Sequence, residues 1–191
     1  MAGEAGESWP GSVADGYRPD LAIISGYGSL PLEIAEGAVG AGRSPFMIGI
    51  EGEADRSIRA YPGHTLSWGQ IGRLFRLLDE LGIKQAVFAG GVRKRPEITT
   101  LKLDWGGVKA LPQALVFMLG GDNTVLSGTI RLFEKHDVTV VGVHEIAPQL
   151  LARAGTMVGR KPSAKDFLNI RKAFSACKAL GHLDIGQAAI A

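Results

Sequence analysis

The strongest constraint on this chain is an alternation. Short apolar runs of strand length recur between stretches with helical spacing. Leu21-Ala22-Ile23-Ile24-Ser25 stops at Gly26 and reads as a buried strand. Leu30 to Ala41 follows as a helix, with Leu32, Ile34, Ala35 and Ala38 as its apolar stripe. Pro31 sits in its first turn, where a missing N–H costs nothing. Phe46 to Ile50 is a second strand. Ser67 to Leu81 is the clearest helix. Ser67 and Gln70 have capping-box spacing, Ile71, Leu74, Phe75, Leu78 and Leu81 recur at helical intervals, and Gly82 is the stop. Gln85 to Ala89 is a third strand, ending at Gly90-Gly91. Gly107 to Leu119 is apolar most of the way round, as in a buried helix. Asp122 caps a helix to about Lys135, and Val138 to Val143 is the fourth strand. Ser163 and Asp166 cap a helix to Leu180, and Ile185 to Ala191 is apolar again.

Strands alternating with helices predict an α/β fold: a mostly parallel sheet with helices on both faces. Such sheets bind ligands beyond the C-terminal ends of their strands. Three segments fall on that edge: Gly26-Tyr27-Gly28-Ser29, Gly90-Gly91-Val92-Arg93-Lys94-Arg95, and the stretch that begins His144-Glu145.

Composition narrows the partners. Of 191 residues 46% are hydrophobic and 21% charged, which excludes a disordered chain. No run approaches the roughly 18–20 apolar residues of a membrane span. The single cysteine, Cys177, cannot form an internal disulfide and reads as a core residue. A net charge of +2 is too balanced for a nucleic-acid binder. The charge is uneven: acids outnumber bases in residues 1–90, and Lys and Arg dominate 151–191. The basic end is either a solvated helix face or a surface leaning toward anionic lipid or substrate. Residues 1–19 lack a basic region followed by an apolar one, so they read as a loose tail rather than a signal peptide. The expected compartment is the cytoplasm.

The first edge segment opens a helix directly after a strand. Its glycines would let a phosphate approach backbone N–H groups; an ordinary tight turn is the alternative. A dinucleotide fingerprint wants a third glycine where Leu30-Pro31 stands, although Glu51 lies near the position of a ribose-binding acid. In the second segment Arg93 or Arg95 would grip phosphate oxygens through two donors, with Lys94 as a point charge. A solvated basic turn is its alternative. In Gly120-Gly121-Asp122-Asn123-Thr124 either Asp122 only caps a helix, or Asp122 or Asn123 contacts substrate or hydrated Mg²⁺. His64, His136, His144 and His182 have no metal-site spacing, and Trp68 and Trp105 read as packing residues.

Taken together, SGYGSLP, FAGGVRKRPE, GGDNTVLSGTIRLFE, VVGVHEIAPQLL and LGHLDIGQAAI, in that order, resemble the UDP-2,3-diacylglucosamine pyrophosphatases of lipid A biosynthesis. The similarity is to the two-domain, Mg²⁺-dependent type and runs from about Leu21 to the last residue. It implies a Rossmann-like three-layer domain over residues 20–160, and a connecting helix and the start of a C-terminal catalytic domain over 161–191. The implied reaction is water attack on the α-phosphorus, giving UMP and 2,3-diacylglucosamine 1-phosphate (lipid X), with Mg²⁺ as cofactor. The expected substrate-binding residues are Gly26, Tyr27, Gly28, Ser29, Gly90, Gly91, Arg93 and Arg95, with Asp122 and Gln187 beside them. The family's catalytic carboxylate lies beyond the LDIGQA segment. The expectation is therefore a truncated chain that binds the nucleotide and turns over little, with no catalytic or metal-binding residue assigned. The other classes are a non-catalytic nucleotide-binding module and an NAD(P)-dependent enzyme. Peripheral contact with the anionic inner membrane and a homo-oligomer stay open, and nucleic acid is not an expected partner.

Overall fold

The computed structural model describes residues 9, 16–93 and 122–182. They divide into two compact units: 9, 16–93 and 130–150 form the first, and 122–129 and 151–182 the second.

The first unit is built on five parallel strands: β1 (Leu21–Ser25), β2 (Pro45–Ile50), β3 (Gly63–Leu66), β4 (Gln85–Ala89) and β5 (Thr139–Val140). Their order is β3-β2-β1-β4-β5. Helices α1 (Leu30–Gly40) and α2 (Ile71–Glu80) connect them, α3 (Asp122–Glu134) leads into β5, and the short α4 (Val143–Ile146) follows it. The fold class is thus α/β with a wholly parallel sheet.

Parallel strands buried on both faces need apolar side chains at every position. β1 shows this directly, with all five residues buried. Ala22 and Ile24 join Phe46, Ile48, Leu74, Phe75, Leu78 and Phe133 in the core on one face. Leu21 and Ile23 join Ile34, Ala35, Ala38, Met47, Ile58, Val87 and Ile146 on the other. Burying each of the larger apolar side chains among these contributes about 1.5–3 kcal/mol, so β1, with Leu21, Ile23 and Ile24, anchors both layers.

Several details differ from the sequence reading. The strand β3 was not expected; it is short, and its His64 and Thr65 interrupt the apolar pattern. α2 begins at Ile71 rather than Ser67, because the Ser67 hydroxyl donates to Glu51 Oε2 instead of capping the helix. Half of the expected capping box survives: Gln70 Oε1 accepts the Ser67 N–H at 2.9 Å. The fourth expected strand, 138–143, is paired only at Thr139–Val140, and Val143 already starts α4. The loose tail is pinned in two places. Trp9 Nε1 donates to the Tyr61 carbonyl at 3.0 Å, and Tyr17 Oη donates to the Pro45 carbonyl at 2.6 Å. The helix expected over 107–119 lies outside the described residues.

The second unit contains α5 (Ala164–His182). Its start is a reciprocal cap. The Ser163 N–H donates to Asp166 Oδ2 at 2.8 Å, and the Asp166 N–H donates to Ser163 Oγ at 3.2 Å. Cys177 on α5 is half-buried, not a core residue. No helix among the described residues is long and apolar enough to cross a membrane.

Candidate functional site

The strand order reverses direction at β1: the chain moves from β1 to β2 and β3, then returns to place β4 on the other side. The crevice beyond the C-terminal ends of β1 and β4 is therefore the topological switch point, where ligands bind in such sheets. The first two sequence segments meet there. The Gly26 N–H donates to the Ala89 carbonyl at 2.9 Å. Tyr27 and Gly91 then form an antiparallel bridge, exchanging two backbone bonds of 2.9 Å each.

This pairing itself requires glycine at several positions. A Cβ on Gly26 would overlap the Gly91 carbonyl oxygen, and one on Gly91 would overlap the Tyr27 ring. Gly90 takes φ +85°, and a Cβ there would stand 2.6 Å from the Tyr27 carbonyl oxygen. These three glycines admit one loop to the other. Gly28 is the exception. Its φ is +102°, and open space surrounds the place of its missing side chain.

A second layer of contacts arrives from the loop after β2. Asp55 Oδ2 accepts the Gly28 N–H at 2.6 Å, and its Oδ1 lies 3.6 Å from Arg93 Nη2. Glu53 is buried and accepts the Arg93 N–H at 2.8 Å. The Arg93 guanidinium lies 4.7 Å from the centre of the Tyr27 ring, within cation–π range. Arg93 is still half exposed, so its charge faces solvent at the crevice. Ser29 precedes α1 with an exposed side chain that makes no bond to the helix, and its carbonyl accepts the Leu32 and Glu33 N–H groups. Among the described residues the chemistry available at the crevice is one oriented guanidinium, a helix N-terminus and an aromatic face, balanced by two carboxylates.

The structure brings together Gly26, Tyr27, Gly28, Ser29, Gly90, Gly91 and Arg93. Arg95 and Gln187 lie outside the described residues. Asp122 begins α3 within the second unit. In the third segment, Glu145 Oε1 accepts the Gly142 N–H at 2.6 Å, so this acid serves its own helix start. Sequence reasoning missed Glu53 and Asp55. The signal was present, since the acidic stretch Glu51-Gly52-Glu53-Ala54-Asp55 follows β2 on the same edge.

Among the described residues magnesium does not find a ready cage: no three His, Cys, Asp or Glu side chains converge. Glu53 and Asp55 are turned onto N–H groups and a guanidinium. Two open grooves of about 500 and 400 Å³ lie elsewhere on the first unit. One is lined by Glu33, Gly37 and Gln149, the other by Arg76, Lys84 and His136; neither includes the glycine loops.

A family model described as the LpxI N-terminal domain matches residues 20–150. The chain belongs to this family. It is also 33% identical over 170 residues to a Caulobacter vibrioides protein named UDP-2,3-diacylglucosamine pyrophosphatase LpxI. That alignment covers 89% of this chain and 60% of the relative, so the chain spans less than two thirds of the relative's length. The LpxI N-terminal domain match ends at residue 150, where the first structural unit also ends. The whole switch-point site lies inside it.

Proposed function

We propose that this chain supplies the nucleotide-binding part of UDP-2,3-diacylglucosamine hydrolysis in lipid A biosynthesis. In that reaction water opens the pyrophosphate to give UMP and 2,3-diacylglucosamine 1-phosphate. The observation that carries the reading is the 33% identity to a pyrophosphatase of that name. The crevice geometry supports it. A diphosphate needs a cation and N–H donors aimed at its oxygens, and Arg93 and the Gly28 turn at the start of α1 offer both.

In this reading Arg93 holds the diphosphate, the Gly26–Ser29 turn lies along it, and the Tyr27 ring flanks the guanidinium. No nucleophile or catalytic carboxylate is assigned among the described residues. Mg²⁺ belongs to the reading as a companion of the substrate. It commonly binds through substrate phosphates plus one or two carboxylates, and it would neutralise charge on the phosphoryl oxygens. No step is routed through it. The reading also carries a cytoplasmic location and contact of the basic stretch in 151–191 with an anionic membrane surface. Salt-sensitive co-sedimentation with anionic vesicles tests the membrane contact.

Calorimetric titration of the chain with UDP and with NAD, beside an assay of UMP release with Mg²⁺, tests the whole. UDP is expected to bind in preference to NAD, with little UMP released. Binding of NAD as tight as UDP overturns the nucleotide assignment, and robust UMP release overturns the restriction to a binding role.

A further inference from the structure

The β1–α1 turn already holds an anion, the protein's own. Asp55 places one carboxylate oxygen on the Gly28 N–H and the other beside Arg93. A phosphoryl group takes the same pair of contacts from a backbone donor and a guanidinium. Arg93 is held in place: its backbone is bonded to buried Glu53 and its guanidinium lies over the Tyr27 ring. Asp55 has an alternative. It stands at the N-cap of a 3-10 helix (Arg56–Ala60) with extended backbone, yet its side chain makes no bond to that helix. An aspartate in that conformation is a good capping residue.

We infer that Asp55 is a specificity-determining residue: a built-in counter-anion that a diphosphate displaces and a singly charged anion does not. The inference rests on the nucleotide-binding reading above. A carboxylate brings one negative charge to Arg93, and a diphosphate brings more, so only the latter gains by exchange. The released carboxylate turns to cap the 3-10 helix, which leaves it satisfied in both states. With Asp55 in place, Arg93 and the Gly28 N–H stay paired when no nucleotide is present.

The test titrates the 191-residue chain with UDP, inorganic pyrophosphate and acetate, as wild type, Asp55→Asn and Arg93→Ala. Asparagine keeps an acceptor for the Gly28 N–H and removes the charge. Asp55→Asn is expected to bind UDP and pyrophosphate at least about five-fold tighter, because the pairing of opposite charges about 4 Å apart that the ligand must break is worth that much even in water. The advantage shrinks with added salt, and Arg93→Ala binds more weakly than wild type. In the wild type, UDP shifts the amide resonances of Gly28 and of residues 56–58, and acetate at equal concentration does not. Equal or weaker UDP binding by Asp55→Asn, with Arg93→Ala still impaired, overturns the counter-anion role and leaves the nucleotide reading standing. No binding of UDP or pyrophosphate by folded wild type and Asp55→Asn overturns both. If Asp55→Asn does not fold, unmoved wild-type amides at 28 and 56–58 under saturating UDP overturn the inference.

Discussion

Single atoms decide most of what happens at the switch point. Gly26 has no side chain because the Gly91 carbonyl oxygen occupies that place. Gly26→Ala must force the two loops apart, and overpacking of this kind costs about 1–3 kcal/mol. Urea unfolding of this variant is expected to show that loss; an unchanged midpoint would contradict the close loop contact. A second single-residue effect lies on β3. His64 Nε2 is buried with no hydrogen-bond partner among the described residues. Burial, and then the nearby Arg73 charge, hold its imidazole below the ordinary value of 6.5. The unfolded chain therefore takes up this proton first as pH falls. The stability from the neutral imidazole is present above pH 6.5 and is lost downward from there toward the lowered folded value. Asp20 titrates in a separate window. Burial pushes its carboxyl up, but hydrogen bonds from Arg43 and Ser44 outweigh this and hold it below 3.8. A urea midpoint that falls between pH 7.5 and 5.5 in the wild type and falls less in His64→Leu is the expected result. Equal falls in both would remove His64 as the cause.

Among the elements, legibility followed periodicity. β1, β2 and β4 were readable because strands buried on both faces are continuous apolar runs. The helix α1 was readable from Ile34, Ala35 and Ala38 on one side. β3 was not, since an edge strand of four residues with His64 and Thr65 at its centre has neither a run nor a clean alternation. Nor does a full helix precede it; the short 3-10 helix Arg56–Ala60 makes the crossover. The start of α2 misled because Ser67 has two partners in reach, the N–H donors of its own helix and the Glu51 carboxylate, and a sequence cannot rank a tertiary partner. Where no such competitor exists the local signal held: Ser163 and Asp166 cap α5 as their spacing suggests. Two hydrogen bonds from Ser163, first its backbone and then its side chain, hold the Asp166 carboxyl below the usual range. Ser163→Ala is expected to lower the helical circular dichroism of the chain through fraying of α5. An unchanged signal would show that the cap contributes nothing there.

For the molecule as a whole, a wholly parallel sheet with cores on both faces fixes where a ligand belongs more firmly than any single motif does. The two glycine loops were legible at the C-terminal edge of the sheet, but their pairing with each other was not. That long-range pairing has no local signature. The same holds for Glu53 and Asp55, which act on residues about 40 and 27 positions away. Arg93, the Gly28 turn and the start of α1 face the switch-point crevice, where the proposed nucleotide diphosphate would sit. The most direct test is a map of backbone amide shifts in the 191-residue chain as UDP is added. Saturable shifts centred on Tyr27, Gly28, Ser29 and Arg93, lost in Arg93→Ala, are the expected result. Saturable shifts centred on another face of the sheet, or none at millimolar UDP, would contradict it.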